Sequence, residues 1–368
     1  MKNKKILINS KDSNYNIYVG SNLIAQINKI LKKDKINAKN FLIIYDSKVP
    51  FKIINTLRKK IKENIIFHKF YSSEKNKNQK SVNKILNIML KNNFNRNDCL
   101  IAVGGGIIGD VSAFAASVFK RGLKFINIPT TLLAQVDSSI GGKTGINSDY
   151  GKNLIGSFYQ PDLVIADIKF LKYLPKRELI CGYAEIFKHS IISDKKFFYF
   201  LLNNFEKIIS LKKPYIDQAI YKSCLIKKKI VEKDIKEKNL RKTLNLGHTF
   251  AHSYEASYKY SKGLNHGEAV LLGINSASEF SFKKNLLNYK EYKLIINHIS
   301  KINNSLKINN YFNKKDTNKL LGYIKNDKKN ISKKINLILI NKIGKVSYNN
   351  FFELKKFQNL LETNFYNI

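Results

Sequence analysis

The sequence has no tryptophan, two methionines, five prolines and three cysteines in 368 residues. Cys99, Cys181 and Cys224 are widely spaced and odd in number, which excludes a disulfide framework and a cysteine-based zinc cluster and points to a reducing, cytoplasmic setting. No run of about 18 uncharged apolar residues occurs, so no transmembrane helix and no membrane partner are expected. The basic start MKNKKILIN carries too short an apolar run for a signal-peptide core. Acidic residues are scarce too, at 27 against 66 basic ones, for a formal net charge of +39. Arginine is rarer still: Arg58, Arg96, Arg121, Arg177 and Arg241 are the five.

Such a charge would suit a nucleic-acid binder, because Lys and Arg displace condensed counterions from phosphates. The lysines are instead spread along the whole chain with abundant Asn and Ile, as codon bias toward A and T would produce. We read most of them as solvated surface and expect no nucleic-acid partner. The arginines matter more, since lysine cannot supply their planar donor fork.

At 43% apolar and 25% charged, the chain is globular, and its length favours two domains. In the first half, short apolar runs such as FLIIY, CLIAV and FINIP end in Gly, Asp or Pro and alternate with helical stretches. This predicts an α/β domain with a buried parallel sheet, Rossmann-like, over 1–176. From 177 to 368 the apolar spacing turns to three and four, which predicts a mainly α-helical domain. One exception is a hairpin expected at 335–349 around Gly344.

GGGIIGD, Gly104 to Asp110, joins the CLIAV strand to a helical stretch. Glycines there let a backbone approach a pyrophosphate, and the following helix N-terminus offers unpaired N–H groups. Asp46, Thr130 and Thr131 fall at the carboxyl ends of neighbouring strands, where dinucleotide folds bind ribose, although each also suits an ordinary turn. SSIGGKTGINSDYGKN, 138–153, reads as a glycine-rich loop carrying Lys143 and Lys152 that could surround an anion. It is not a Walker A loop, because Asp137 stands where the leading glycine would fall.

Three of the six histidines, His248, His252 and His266, lie within nineteen residues. His248 and His252 share a helix face, and a carboxylate joining the imidazoles would make a zinc site with an open position. Glu185 lies in an otherwise apolar helical stretch, where an acid is costly unless paired or metal-bound. Spacing does not choose among Glu185, His248, His252, His266 and Glu268.

Taken together, GGGIIGD, RGLKFINIPTTLLAQVDSSIGGKTGIN, GKNLIGSFYQP, AEIFKH, LRKTLNLGHTFAHSYE and HGEAV resemble, in order and spacing, the motifs of the 3-dehydroquinate synthase family over about 41–345. The resemblance implies a cyclase of the shikimate pathway that uses NAD and Zn2+ or Co2+. Its substrate would be 3-deoxy-D-arabino-heptulosonate 7-phosphate, converted to 3-dehydroquinate and phosphate by transient oxidation, elimination, re-reduction and intramolecular aldol closure. It implies metal ligation by Glu185, His248 and His266, with His252 facing substrate. NAD would contact Asp46, Glu74, Lys77, Gly105, Gly106, Asp110, Thr130 and Thr131, with Lys143 and Lys152 alongside. Substrate would be held by Lys143, Lys152, Asn153, Lys188, Lys227, Arg241 and Asn245, with Asp137 at the junction and Arg121 reaching in from the second subunit of a homodimer. Catalytic roles would fall to His252, Lys143, Lys188, Arg241 and Asn245.

The sequence departs from the family pattern at Ala251, where glycine is usual, at Tyr173, where a small hydroxyl residue is common, and at Ser72-Ser73 before Glu74. Rival readings are another sugar-phosphate cyclase or a metal-dependent polyol dehydrogenase. Lys152, Lys227, Arg241 and Asn245 fit the quinate type.

Overall fold

The unbroken apolar runs of the first half become strands of a single seven-stranded sheet. In chain order the elements are β1 (Lys4–Asn9), β2 (Asn14–Gly20), α1 (Ile27–Lys33), β3 (Asn40–Asp46), α2 (Phe51–Lys60), β4 (Asn64–Phe70), α3 (Gln79–Lys91), β5 (Cys99–Gly104), α4 (Gly106–Val118), β6 (Lys124–Pro129), β7 (Lys143–Ser148), β8 (Gly151–Phe158) and β9 (Leu163–Asp167). The computed structural model describes residues 3–10, 13–261, 263–325, 334–353, 358 and 362.

The sheet order is β1-β2-β9-β6-β5-β3-β4, with β1 antiparallel to β2 and every other neighbouring pair parallel. Successive residues feed opposite faces: Phe41, Ile43, Cys99 and Ile101 join Ile27 and Leu57 in one core, while Leu42, Ile44, Leu100 and Ala102 join Val82 and Val111 in another. Because both faces are covered, these strands read as continuous apolar runs rather than alternating ones. The chain leaves β3 toward one edge of the sheet and returns to β5 before crossing to the other, so the carboxyl ends of β3 and β5 flank a topological switch point.

Where a loop is expected at 138–153, the structure has the antiparallel β7–β8 hairpin, pairing Lys143 with Phe158, Ile146 with Ile155 and Ser148 with Gly151. Ile146 is the single large apolar side chain that β7 buries, too little to show a strand period in the sequence.

Three helices follow, α5 (Lys176–Ser193), α6 (Lys195–Ile209) and α7 (Tyr215–Lys233). The chain divides into one unit of Met1–Leu179 with Leu211–Ile235 and another of Ile180–Ser210 with Lys236–Ile368. Thus α7 groups with the sheet in the first unit. It packs on β1 and β2, where the Lys4 ammonium lies 3.8 Å from the centre of the Tyr221 ring and the Asn9 N–H donates to Glu232 Oε1 at 2.6 Å.

The second unit continues with α8 (His248–Ser257), α9 (His266–Lys283), α10 (Tyr289–Ile302), α11 (Thr317–Lys325) and the hairpin of β10 (Lys334–Lys342) and β11 (Lys345–Glu353), which turns at Gly344 as the sequence predicts. Buried Glu291 on α10 accepts from Lys195 Nζ at 2.7 Å and from the Ile343 N–H at 3.0 Å, joining three elements. Beneath α5, Tyr183 Oη meets His298 Nε2 at 2.8 Å, and burial holds the His298 imidazole down to about 3, hence neutral. Among the described residues no helix is long and apolar enough to cross a membrane.

Candidate active site

In the first unit, the glycine turn stands where β5 hands over to α4. Gly105 takes the N-cap position with extended backbone, and a Cβ there would meet Thr131 Cγ2 at 3.2 Å. The turn therefore keeps its backbone open at the helix N-terminus, the arrangement a pyrophosphate requires. Asp46, at the carboxyl end of β3, is buried, and its Oδ1 accepts from the Lys48 N–H at 3.0 Å. Thr131 Oγ1 accepts from the Ala134 N–H at 3.2 Å, and Thr130 donates its N–H to Gly104 O at 2.9 Å. The turn-forming role of these residues is thus realised at the same strand ends that offer the ribose site.

Two buried lysine–carboxylate pairs lie in this unit. Lys77 is bonded to Asp110 and to Asn153 Oδ1, and burial pushes the Asp110 carboxyl above the usual carboxylate range against the pull of that ammonium. Lys227, on α7, donates to Asp137 O at 2.6 Å and to its Oδ1 at 2.5 Å. Lys143 is exposed at the start of β7, and Lys152 Nζ lies 3.4 Å from Glu74 Oε1. Arg121 is exposed on a turn where Lys120 and Arg121 both have left-handed backbone.

In the second unit, α5, α8 and α9 bring Glu185, His248 and His266 together. Glu185 Oε1 lies 3.7 Å from His248 Nε2 and 3.6 Å from His266 Nε2. A divalent ion bonded at about 2.0–2.1 Å in tetrahedral geometry holds its donors about 3.3 Å apart; these two separations are a few tenths of an ångström wider, and all three donor atoms lie within 4.8 Å of one another, so the set can gather round zinc or cobalt. Each ring is also oriented from behind. His266 Nδ1 is 3.2 Å from Glu255 Oε2, and His248 Nδ1 is 3.3 Å from Leu246 O. Hydrogen bonds at both Nδ1 atoms leave the Nε2 atoms to ligate, the usual support of a histidine metal site. Burial opposes charge on His266, but Glu255 and Glu185 outweigh it and raise this imidazole to about 10. Lys188 contacts Glu185 one turn along α5.

Backbone-level contacts fix the ligands' spacing. A Cβ on Gly267, next to His266, would lie 2.3 Å from Cys181 Cα on α5. One on Gly273 of α9 would lie 2.2 Å from Gly247 O, next to His248. Gly247 itself has φ +77, so glycine is needed there for conformation as well as space.

The other candidates separate cleanly. His252 has its ring centre 5.4 Å from that of His248 but lies outside the ligating group. Glu268 is not a ligand: its side chain accepts from the Asn265 N–H at 2.9 Å while Asn265 Oδ1 accepts from the Glu268 N–H at 2.9 Å, a capping box opening α9. Arg241 is buried in the short helical turn Leu240–Asn245, whose Asn245 donates to Glu237 Oε1 at 2.5 Å. Glu255 escapes sequence reasoning, being an ordinary-looking acid on a helix. Glu255→Gln is expected to weaken zinc binding about 10- to 100-fold while activity returns in excess zinc, as titration of the apoprotein will measure.

The departures are absorbed locally. Ala251 is buried in α8 with its N–H still bonded to Gly247 O at 2.9 Å. Ser73 accepts from the Asn76 N–H at 3.3 Å and caps the short turn that carries Glu74. Tyr173 is exposed.

Residues 68–181 match the family model described as 3-dehydroquinate synthase N-terminal, and residues 182–330 match the one described as 3-dehydroquinate synthase C-terminal. The 3-dehydroquinate synthase of Pelagibacter ubique (strain HTCC1062) is 55% identical over 345 residues, 94% of each chain. A 2-deoxy-scyllo-inosose synthase complexed with carbaglucose-6-phosphate, NAD+ and Co2+ has a TM-score of 0.87 at 23% identity, covering 98% of this chain and 100% of that one. The 2-epi-5-epi-valiolone synthase of Streptomyces hygroscopicus subsp. jinggangensis 5008, with NAD+ and Zn2+ bound, has a TM-score of 0.85 at 22% identity over 97% and 98%. At these identities the two solved structures speak for the fold alone.

Proposed function

The chain belongs to the 3-dehydroquinate synthase family, and from that membership we propose that it converts 3-deoxy-D-arabino-heptulosonate 7-phosphate to 3-dehydroquinate and phosphate, as a phosphate-eliminating lyase of the shikimate pathway that needs NAD and a divalent metal. When bound, NAD supplies a transient hydride acceptor and zinc or cobalt polarises a substrate hydroxyl. Glu185, His248 and His266 hold the metal, and His252 takes and returns the proton of that hydroxyl. Asp46, Glu74, Lys77, Gly105, Gly106, Asp110, Thr130 and Thr131 seat the dinucleotide. Lys143, Lys152, Asn153, Lys188, Lys227, Arg241 and Asn245 hold the substrate's carboxylate and phosphate.

One observation carries this reading. Among the described residues the buried cations are Lys77 (6% exposed), Lys188 (2%), Lys227 (5%) and Arg241 (2%). The other described lysines and arginines are exposed or half-buried, and a buried cation must be matched by an anion. Three of the four are matched by the chain's own carboxylates, Lys77 by Asp110, Lys188 by Glu185 and Lys227 by Asp137, and all four fall at positions that the motifs offer for cofactor or substrate, which supports a site built from charged groups rather than the apolar lining a neutral ligand would meet.

We also propose that the protein acts in the cytoplasm, where its three free thiols stay reduced, and as a homodimer, with exposed Arg121 completing the partner's substrate site.

The test is phosphate release by chelator-stripped protein, with zinc and NAD each added or withheld and NADH absorbance followed alongside. Release that requires both, with no net NADH, is expected. NADH accumulating in proportion to an oxidised polyol would overturn the reading in favour of a dehydrogenase.

A further inference from the structure

The segment that offers Glu74 and Lys77 and the hairpin arm that offers Lys152 and Asn153 meet directly, Lys77 at Asn153 and Glu74 at Lys152, and are tied further by a side chain that no step of the reaction uses. This is Asn147, in β7 just before the turn. Its main-chain N–H donates to Lys77 O at 2.8 Å. Its side-chain nitrogen donates to Glu74 O at 3.1 Å and to Glu74 Oε2 at 2.8 Å, while its side-chain oxygen accepts from the Asn153 N–H at 3.1 Å. These partners leave no ambiguity in the amide's orientation, because acceptors lie on one side and a donor on the other.

The amide therefore acts on both neighbours at once. Asn153 has left-handed backbone, φ +53, and its Oδ1 receives the Lys77 ammonium at 2.5 Å. Its main-chain N–H, held by Asn147, fixes the conformation in which that side chain and the preceding Lys152 are presented. On the other side, Glu74 meets both the Asn147 amide and, at 3.4 Å, the Lys152 ammonium.

We propose that Asn147 is a positioning residue that couples cofactor binding to substrate binding. A dinucleotide seated against Glu74 and Lys77 fixes Asn147, and Asn147 fixes the turn from which Lys152 and Asn153 reach the substrate's anionic groups. The inference rests on the assignment of those four residues made above. Coupling of this kind is reciprocal, so substrate tightens NAD by the factor by which NAD tightens substrate.

Asn147→Asp keeps the acceptor for the Asn153 N–H and loses the donor to Glu74, so it cuts the side-chain tie to Glu74 while sparing the turn. In the wild-type protein, NAD is expected to slow amide hydrogen exchange over 143–158 and to lower the substrate Kd, measured by calorimetry on metal-free protein, about tenfold. In N147D, NAD should still bind and protect 74–77, yet leave exchange in the hairpin unchanged. The substrate Kd should no longer respond to NAD, while kcat at saturation of both changes less than about threefold. Asn147→Ala, which removes the donor and the acceptor together and leaves Glu74 and Lys77 to bind NAD, keeps the test decisive if N147D does not fold. NAD-dependent protection of the hairpin that persists in both variants would overturn the coupling alone. Failure of the wild-type protein to bind NAD at all would overturn the coupling and the functional reading together.

Discussion

Glu185→Gln should strip the protein of its metal and lower phosphate release at least about a thousandfold, a loss of about 4 kcal/mol of transition-state stabilisation. Glu185 is fully buried, with Oε1 facing both histidines and Oε2 against the Lys188 ammonium. An amide of the same shape is a neutral, weak ligand, so the divalent ion loses the one anionic donor of its set, and the polarisation it supplies is worth several kcal/mol. The substitution also leaves Lys188, itself buried, without the carboxylate beside it, and an uncompensated buried charge destabilises by several kcal/mol. A double variant, Glu185→Gln with Lys188→Met, separates the two effects. It should recover thermal stability and regain neither zinc nor activity. Metal content after gel filtration and the rate of phosphate release decide the matter: a stoichiometric zinc and near wild-type turnover in E185Q would show that the ion, if it acts, is held elsewhere.

The sequence made legible those parts whose signals are local. A glycine run ending an apolar stretch announces a strand-to-helix turn, and two histidines four apart announce a shared helix face. Even Glu268 could have been set aside from sequence, since Asn265 three residues before it is the signature of a capping box. What stayed hidden depends on tertiary burial. Nothing local distinguishes Lys77, Lys188 and Lys227 from dozens of solvated lysines, because the difference is which core each one enters. Glu255 is separated from His266 by eleven residues and a loop, and so reads as one more surface acid. Periodicity identifies α7 as a helix but not the sheet it serves, which is set by contacts of Tyr221, Lys227 and Glu232 with residues some ninety or more positions earlier. The β7–β8 hairpin reads as a loop in the sequence for a related reason, as its polar strand is paired through backbone and through amides such as Asn147 rather than through an apolar face.

His252→Ala is expected to lower kcat about 10²- to 10³-fold while zinc stays bound. His252 follows His248 by one turn of α8, with ring centres 5.4 Å apart and ring planes at 81°, so it stands beside the metal site without belonging to the group that can ligate one ion. Both histidines of the proposed metal set are committed at two nitrogens, Nε2 toward Glu185 and Nδ1 toward Leu246 O or Glu255, which leaves neither a nitrogen for the substrate's proton. His252 is a half-buried imidazole one turn from His248 on the same helix, a group able to take and return that proton. Its removal should therefore act on the chemical step, depressing kcat with KM changed only a few-fold, and the acid limb of the kcat profile should move with it. Added imidazole should restore part of the lost rate. The contrast with E185Q is the decisive comparison: both variants lose activity, but H252A should carry a full complement of zinc. If H252A instead emerges without metal, His252 is a ligand, and the set of Glu185, His248 and His266 is incomplete.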